Sequence, residues 1–166
     1  TEIGTVLKRP TVWLQAIIVV CAYVGYKGID NYTLFAVQVY QIDEVQAAQV
    51  LTLAAWVRPF AALGAGLLGD RLDISRVIIG CFILLILCDL FFATSTPIQG
   101  ALLILTSNIL LTCLAVYGLR GLYFALFEET KLPTAVTGTA VGIVSVIGYT
   151  PDIFVTLVAG ILVDNN

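Results

Sequence analysis

Three cations sit where an apolar chain has least use for them: Lys27 in "AYVGYKGIDNY", Arg58 in "TLAAWVRPFAALGAG" and Arg120 in "LRGLYFALFEE". An ionisable group inside a membrane helix costs about 2.5–3.5 kcal/mol even on insertion scales, so each is a functional hypothesis that needs a partner. Arg58 lies 14 residues after Glu44 and 12 before Asp70. At ~1.5 Å per residue it is therefore about 21 Å and about 18 Å from the two ends of its helix, too deep for snorkelling. Pro59 follows at once and removes the backbone donor that would serve the carbonyl of Ala55, a break tolerated at depth where it lines a cavity. Two readings stand for Arg58. It either pairs permanently with an aspartate of a neighbouring span, or it faces a central cavity and takes an anion. Binding would then offset the desolvation of the cation, and a carboxylate, sulfonate or phosphate could take two hydrogen bonds from it.

The first span places Tyr23, Lys27 and Asp30 at i, i+4 and i+7, on one helical face, with Tyr26 and Asn31 beside them. That polar stripe is either a cavity lining or an intrahelical Lys27–Asp30 ion pair, and the two are compatible if the pair opens to substrate or a proton. Arg58 and Lys27 are thus the expected anion ligands, with Tyr23, Tyr26 and Asn31 orienting it. Asp30 and Asp152, the latter in "GYTPDIF", are carboxylates at membrane depth suited to cycling a proton. Asp89 is nearer a helix end and reads as structural pairing or interfacial exposure. Thr106 to Asn108 supply neutral hydrogen-bonding groups of the kind that join membrane helices.

Other chemistry is poorly served. Histidine is absent, which removes the commonest general base and metal ligand together with every Ser-His or Cys-His pair. Cys21, Cys81, Cys88 and Cys113 lie in apolar runs without CxxC spacing and read as small hydrophobes. No G-x-S-x-G is present, so neither an enzyme nor a metal or cofactor is expected. The net charge of −3 offers no basic stripe for nucleic acid.

The elements that must position these residues are membrane helices. The chain is 60% hydrophobic and 11% charged with a mean hydropathy of +1.01, more apolar than one soluble core of this size can use. Its charges are grouped between runs of about 20 residues or more, long enough for a ~30 Å hydrocarbon core. Five spans are expected, at about 11–39, 45–69, 76–95, 98–126 and 134–162. All are helical, because open strand edges cannot be satisfied in lipid. The fold class is thus an all-α polytopic membrane bundle forming a single domain over 1–166. Pro97 and Pro133 stand where helices begin at little cost, and Gly64, Gly66, Gly69, Gly138 and Gly142 should let helices approach closely. Lys8, Arg9, Arg71, Arg76 and Lys131 fall on alternate connections, whereas "YQIDEV", "TSTP" and the terminal "DNN" carry no cation. The positive-inside rule then puts the N-terminus in the cytoplasm and the C-terminus outside. The run after Lys8 and Arg9 has no convincing cleavage site and counts as a mature span. A start at Thr1 and a stop just after the fifth span are what an excised or trimmed piece would show.

"GLLGDRLDISR" has the form G-x-x-x-D-R-x-x-x-x-R between the second and third spans. It resembles the loop signature of the major facilitator superfamily, with Asp73 where that family usually has Gly. "LRGLYFALFEE" resembles the family's Arg-Gly signature in the fourth helix, and the Gly-rich run ending in "AGILVD" resembles its long fifth helix. The opening "TEIGTVLKRPTVWLQAI" looks like the approach to the seventh helix. The resemblance thus implies the C-terminal six-helix half truncated after its fifth helix, with the other half and the last helix as missing partners. It also implies a secondary transporter in a bacterial inner membrane, importing a small organic anion by proton symport with alternating access. An antiporter or exporter, or a structural membrane subunit that transports nothing, are the alternatives. Gly66, Asp70, Arg71, Arg76 and Arg120 would form the cytoplasmic gate. In the family pattern Asp70 meets Arg120 and the N-terminal end of the fifth helix, while Arg71 and Arg76 reach acids such as Glu128 and Glu129 or simply anchor the helix ends.

Overall fold

The computed structural model describes residues 2–98 and 101–164. Within them the chain is helical and strand-free. It runs α1 (Glu2–Leu7), α2 (Pro10–Gly28), a 3-10 turn at Ile29–Asn31, α3 (Tyr32–Gln38), α4 (Glu44–Arg71) and α5 (Ile74–Thr94). After these come α6 (Leu102–Leu122), α7 (Leu126–Glu129), α8 (Thr134–Gly148) and α9 (Pro151–Asp164). Five stretches among the described residues are long and apolar enough to cross a membrane: Pro10–Gln38, Glu44–Arg71, Ile74–Thr94, Leu102–Leu122 and Thr134–Leu162. They coincide with the five expected spans to within a few residues, except at the fourth. Its helix starts at Leu102 after an Ala101 N-cap and ends at Leu122, so Pro97 does not open it, and the reach to 126 takes in a turn and the first residue of α7. Gln99 and Gly100, like Thr1 and the last two residues of the "DNN" terminus, lie outside the described residues.

Local chemistry sets the boundaries. Pro10 occupies the first turn of α2, where its missing N–H costs nothing. Asp43 caps α4 by accepting from the Val45 N–H at 3.0 Å. Pro133 directly precedes α8.

Breaks fall in the first and fifth spans, not in the second. The 3-10 turn interrupts the first span at Asp30, and the fifth parts at Tyr149–Thr150, ahead of Pro151. Pro151 cannot donate to the carbonyl of Ile147. The Thr150 hydroxyl donates to that oxygen instead at 2.7 Å, and the Thr150 N–H reaches it at 3.1 Å. A side-chain hydroxyl that re-satisfies a freed carbonyl is what lets a span bend in lipid. The break expected at Pro59 does not occur: α4 runs unbroken for 28 residues with Arg58 at its middle.

α6 is the most enclosed of the five spans. It packs along α4 and also touches α5 and α2, while α8 and α9 pack on α2. The α4–α6 seam is narrow because small residues meet there: a Cβ on Gly121 would lie 3.4 Å from the Ala62 backbone, and one on Gly118 would lie 3.5 Å from the Ala65 Cβ. On the α2–α8 seam a Cβ at Gly148 would overlap Val19. The glycines expected to serve this purpose mostly do not. A Cβ at Gly64, Gly66, Gly138 or Gly142 would meet nothing within 4 Å, and of these five only Gly69 approaches its neighbours, Leu122 and Ile74.

Neutral polar side chains tie the helices together. Asn108 is buried and donates to the Cys88 carbonyl on α5 at 3.1 Å, and the Gln15 amide donates to the Tyr123 carbonyl just past α6.

Candidate functional site

Two polar groupings lie side by side in the bundle. The first joins the two broken spans. Lys27, one turn before the 3-10 break, is 2.6 Å from Asp30 and 3.5 Å from Asp152, which sits in the first turn of α9. Tyr23 donates its hydroxyl to the other Asp152 oxygen at 2.8 Å. A carboxylate in the first turn of a helix is favoured by the partial positive charge there. Asp152 therefore serves as the point where α9 is fastened to α2. The Lys27–Asp30 pair expected within one helix is present, and its second carboxylate comes from across the bundle.

The second grouping holds the two arginines. Arg58 on α4 and Arg120 on α6 line one cavity of about 320 Å³, walled by Tyr117, Tyr123 and Tyr149. The Arg58 guanidinium is 5.9 Å from the Tyr117 ring centroid. Arg120 lies 4.0 Å from the Tyr26 centroid and 5.5 Å from that of Tyr23, with one terminal nitrogen buried and unpartnered. Neither arginine is within 4.0 Å of a carboxylate among the described residues. The Tyr123 and Tyr149 hydroxyls are 3.4 Å apart, and the Tyr149 and Tyr23 rings meet edge-on at 4.9 Å. The groupings thus share Tyr23 and the break in the fifth span.

Two larger cavities, of about 390 and 460 Å³, are walled mostly by apolar side chains of α4, α5 and α6 and hold no comparable group of charges. Volume alone is a poor guide where helix faces lie open to lipid.

Arg120 departs from its expected place. It makes no ion pair with Asp70, because its guanidinium is stacked on the aromatic rings of α2 and belongs to the cavity. At the α4–α5 connection, Asp70 and Arg71 are exposed without an ion pair among the described residues. Arg76 pairs with Asp73 at 2.9 Å rather than with Glu128 or Glu129. Glu129 instead accepts from the Ser75 hydroxyl at 2.5 Å and the Ser75 N–H at 3.3 Å. These bonds hold its carboxyl below the usual range, the Ser75 hydroxyl acting most strongly. With the Asp73 side chain turned to Arg76, Glu129 supplies the acceptor for the first turn of α5 that its own N-cap does not. Gly66 lies on the same stretch with open space beside it.

Asn31 is exposed and makes no side-chain hydrogen bond among the described residues, and Asp89 is exposed on α5. Tyr117, Tyr123 and Tyr149 were not among the expected site residues. A signal was present for two of them, since "YGLRGLY" puts a tyrosine three residues to either side of Arg120. Among the described residues no group of three or more Cys, Asp or Glu could hold a metal ion.

Together, five long apolar helices packed as a strand-free bundle, with charged groups set into their length, define a polytopic helical membrane protein. The chain is similar to the inner membrane protein YqcE of Escherichia coli (strain K12), at 31% identity over 170 residues covering 96% of this chain. It spans 39% of that relative's length. No family model matches the chain, and no solved structure gives a significant match.

Proposed function

We propose that the chain is part of a secondary active transporter of the major facilitator type, residing in a bacterial inner membrane with its N-terminus in the cytoplasm. It carries a small organic anion and is not an enzyme. One observation carries this reading: Arg58, at the middle of a membrane-length helix, borders a polar cavity shared with Arg120 and has no carboxylate partner among the described residues. A structural arginine would be expected to be sealed against an acid. The loop resemblance and the similarity to an inner membrane protein support the class and location.

In this reading the anion binds between two halves that rock to expose it to alternate sides, with the half-cavity described here closed by the rest of the protein. Lys27 with Asp30 and Asp152 forms the coupling group. One cation faces two carboxylates, so a single added proton balances the group, and import is proton symport. The experiment is uptake by the full-length protein in proteoliposomes, screening small organic anions with and without an imposed pH gradient. Accumulation driven by an inward proton gradient is expected. Equal uptake without the gradient removes proton coupling, and no uptake of any anion removes the transport reading.

A further inference from the structure

Resting on that reading, the geometry points to a doubly charged substrate: the cavity between α4 and α6 takes a small dianion, shared by Arg58 and Arg120, with Lys27 outside the ligand set. The charge distribution carries this. Of Lys27, Arg58 and Arg120, Lys27 is held by two carboxylates at 2.6 and 3.5 Å. Arg58 and Arg120 border one cavity with no carboxylate within 4.0 Å among the described residues. Aromatic faces hold both guanidiniums, and Arg120 most closely, with Tyr26 at 4.0 Å and Tyr23 at 5.5 Å.

An aromatic ring orients a guanidinium without cancelling its charge. A singly charged ligand would leave one of the two cations uncompensated, whereas a dianion matches both. The buried, unpartnered nitrogen of Arg120 is a donor awaiting an acceptor. Tyr117, Tyr123 and Tyr149 add phenol groups around the same space. A volume of about 320 Å³ sits at the small end of ligand sites, which run from roughly 300 to 1,000 Å³. The ligand class is a short dicarboxylate or a phosphate monoester of a few carbons.

The test uses the full-length protein purified in detergent and reads thermal stabilisation during titration at pH 7.5. The probes are matched pairs: succinate against its monomethyl ester, and glycerol 3-phosphate against its methyl diester. The dianion of a pair should bind about tenfold more tightly or better. Arg58→Gln and Arg120→Gln should each bring the two members within about threefold of one another, by removing the second counter-charge. Arg120→Lys, which keeps the charge, should retain the preference. Equal or tighter binding of the monoanions, or a dianion preference that survives Arg120→Gln, overturns this inference and leaves anion transport standing. Stabilisation by no anion of either charge overturns the transport reading along with it.

Discussion

Tyr23 and Tyr26 are neighbours on one helix with rings 5.4 Å apart, yet they touch the site through different atoms. Tyr23 uses its hydroxyl, donating to Asp152 at 2.8 Å, whereas Tyr26 offers its ring face to Arg120 at 4.0 Å and makes no side-chain hydrogen bond among the described residues. Removing one oxygen from each should therefore have opposite consequences. A hydrogen bond to a charged group contributes about 1.5–3 kcal/mol. Because Asp152 is half exposed, Tyr23→Phe should cost about 1 kcal/mol, at or below the low end of that range. Tyr26→Phe keeps the ring and should lie within about 0.5 kcal/mol of the parent. Tyr26→Leu removes the cation–π contact and should cost about 0.5–2 kcal/mol. Equilibrium unfolding of the full-length protein in detergent measures all three, with anion uptake as a parallel readout. A Tyr26→Phe variant as damaged as Tyr26→Leu, or a silent Tyr23→Phe, would refute this division of roles.

Three further outcomes follow from the packing and the ion pairs. Gly148→Ala should destabilise by about 1–3 kcal/mol because its methyl overlaps Val19, whereas Gly142→Ala, with open space beside it, should be near neutral in the same unfolding measurement. Lys27→Met should lower stability by leaving two carboxylates without their cation, and adding Asp152→Asn should recover part of the loss in a double-mutant cycle. The Ser75–Glu129 bonds give a small pH dependence. Since folding lowers the Glu129 pKa, their stabilisation is complete above the ordinary glutamate value of about 4.3 and is lost as pH falls through the lowered one. Glu129→Gln should flatten that part of a pH–stability profile, and an unchanged acid limb would contradict the assignment.

Much of the fold is legible because lipid imposes a simple rule: runs long and apolar enough to span must be helices. Proline was a mixed guide. Pro10, Pro133 and Pro151 mark helix starts, yet Pro97 marks none and Pro59 sits inside an unbroken α4. The depth of Arg58 and the Lys27–Asp30 pair could be read from spacing along one helix.

What spacing cannot give is which helices meet. The Asp152–Lys27 contact joins residues on α9 and α2, and the stacking of Arg120 on Tyr26 depends on α6 lying against α2. Likewise, the sequence marks the glycines, but only the assembled bundle decides that Gly118, Gly121 and Gly148 sit on seams while Gly138 and Gly142 do not.

Arg58 is the proposed ligand for the transported anion. The most direct measurement is initial-rate uptake of that anion by full-length Arg58→Gln in proteoliposomes, compared with the parent protein at equal reconstitution and confirmed folding. Loss of one charge-assisted contact of about 1.5–3 kcal/mol predicts a fall in uptake efficiency of roughly ten- to a hundredfold. Uptake by Arg58→Gln equal to that of the parent would rule out Arg58 as an anion ligand.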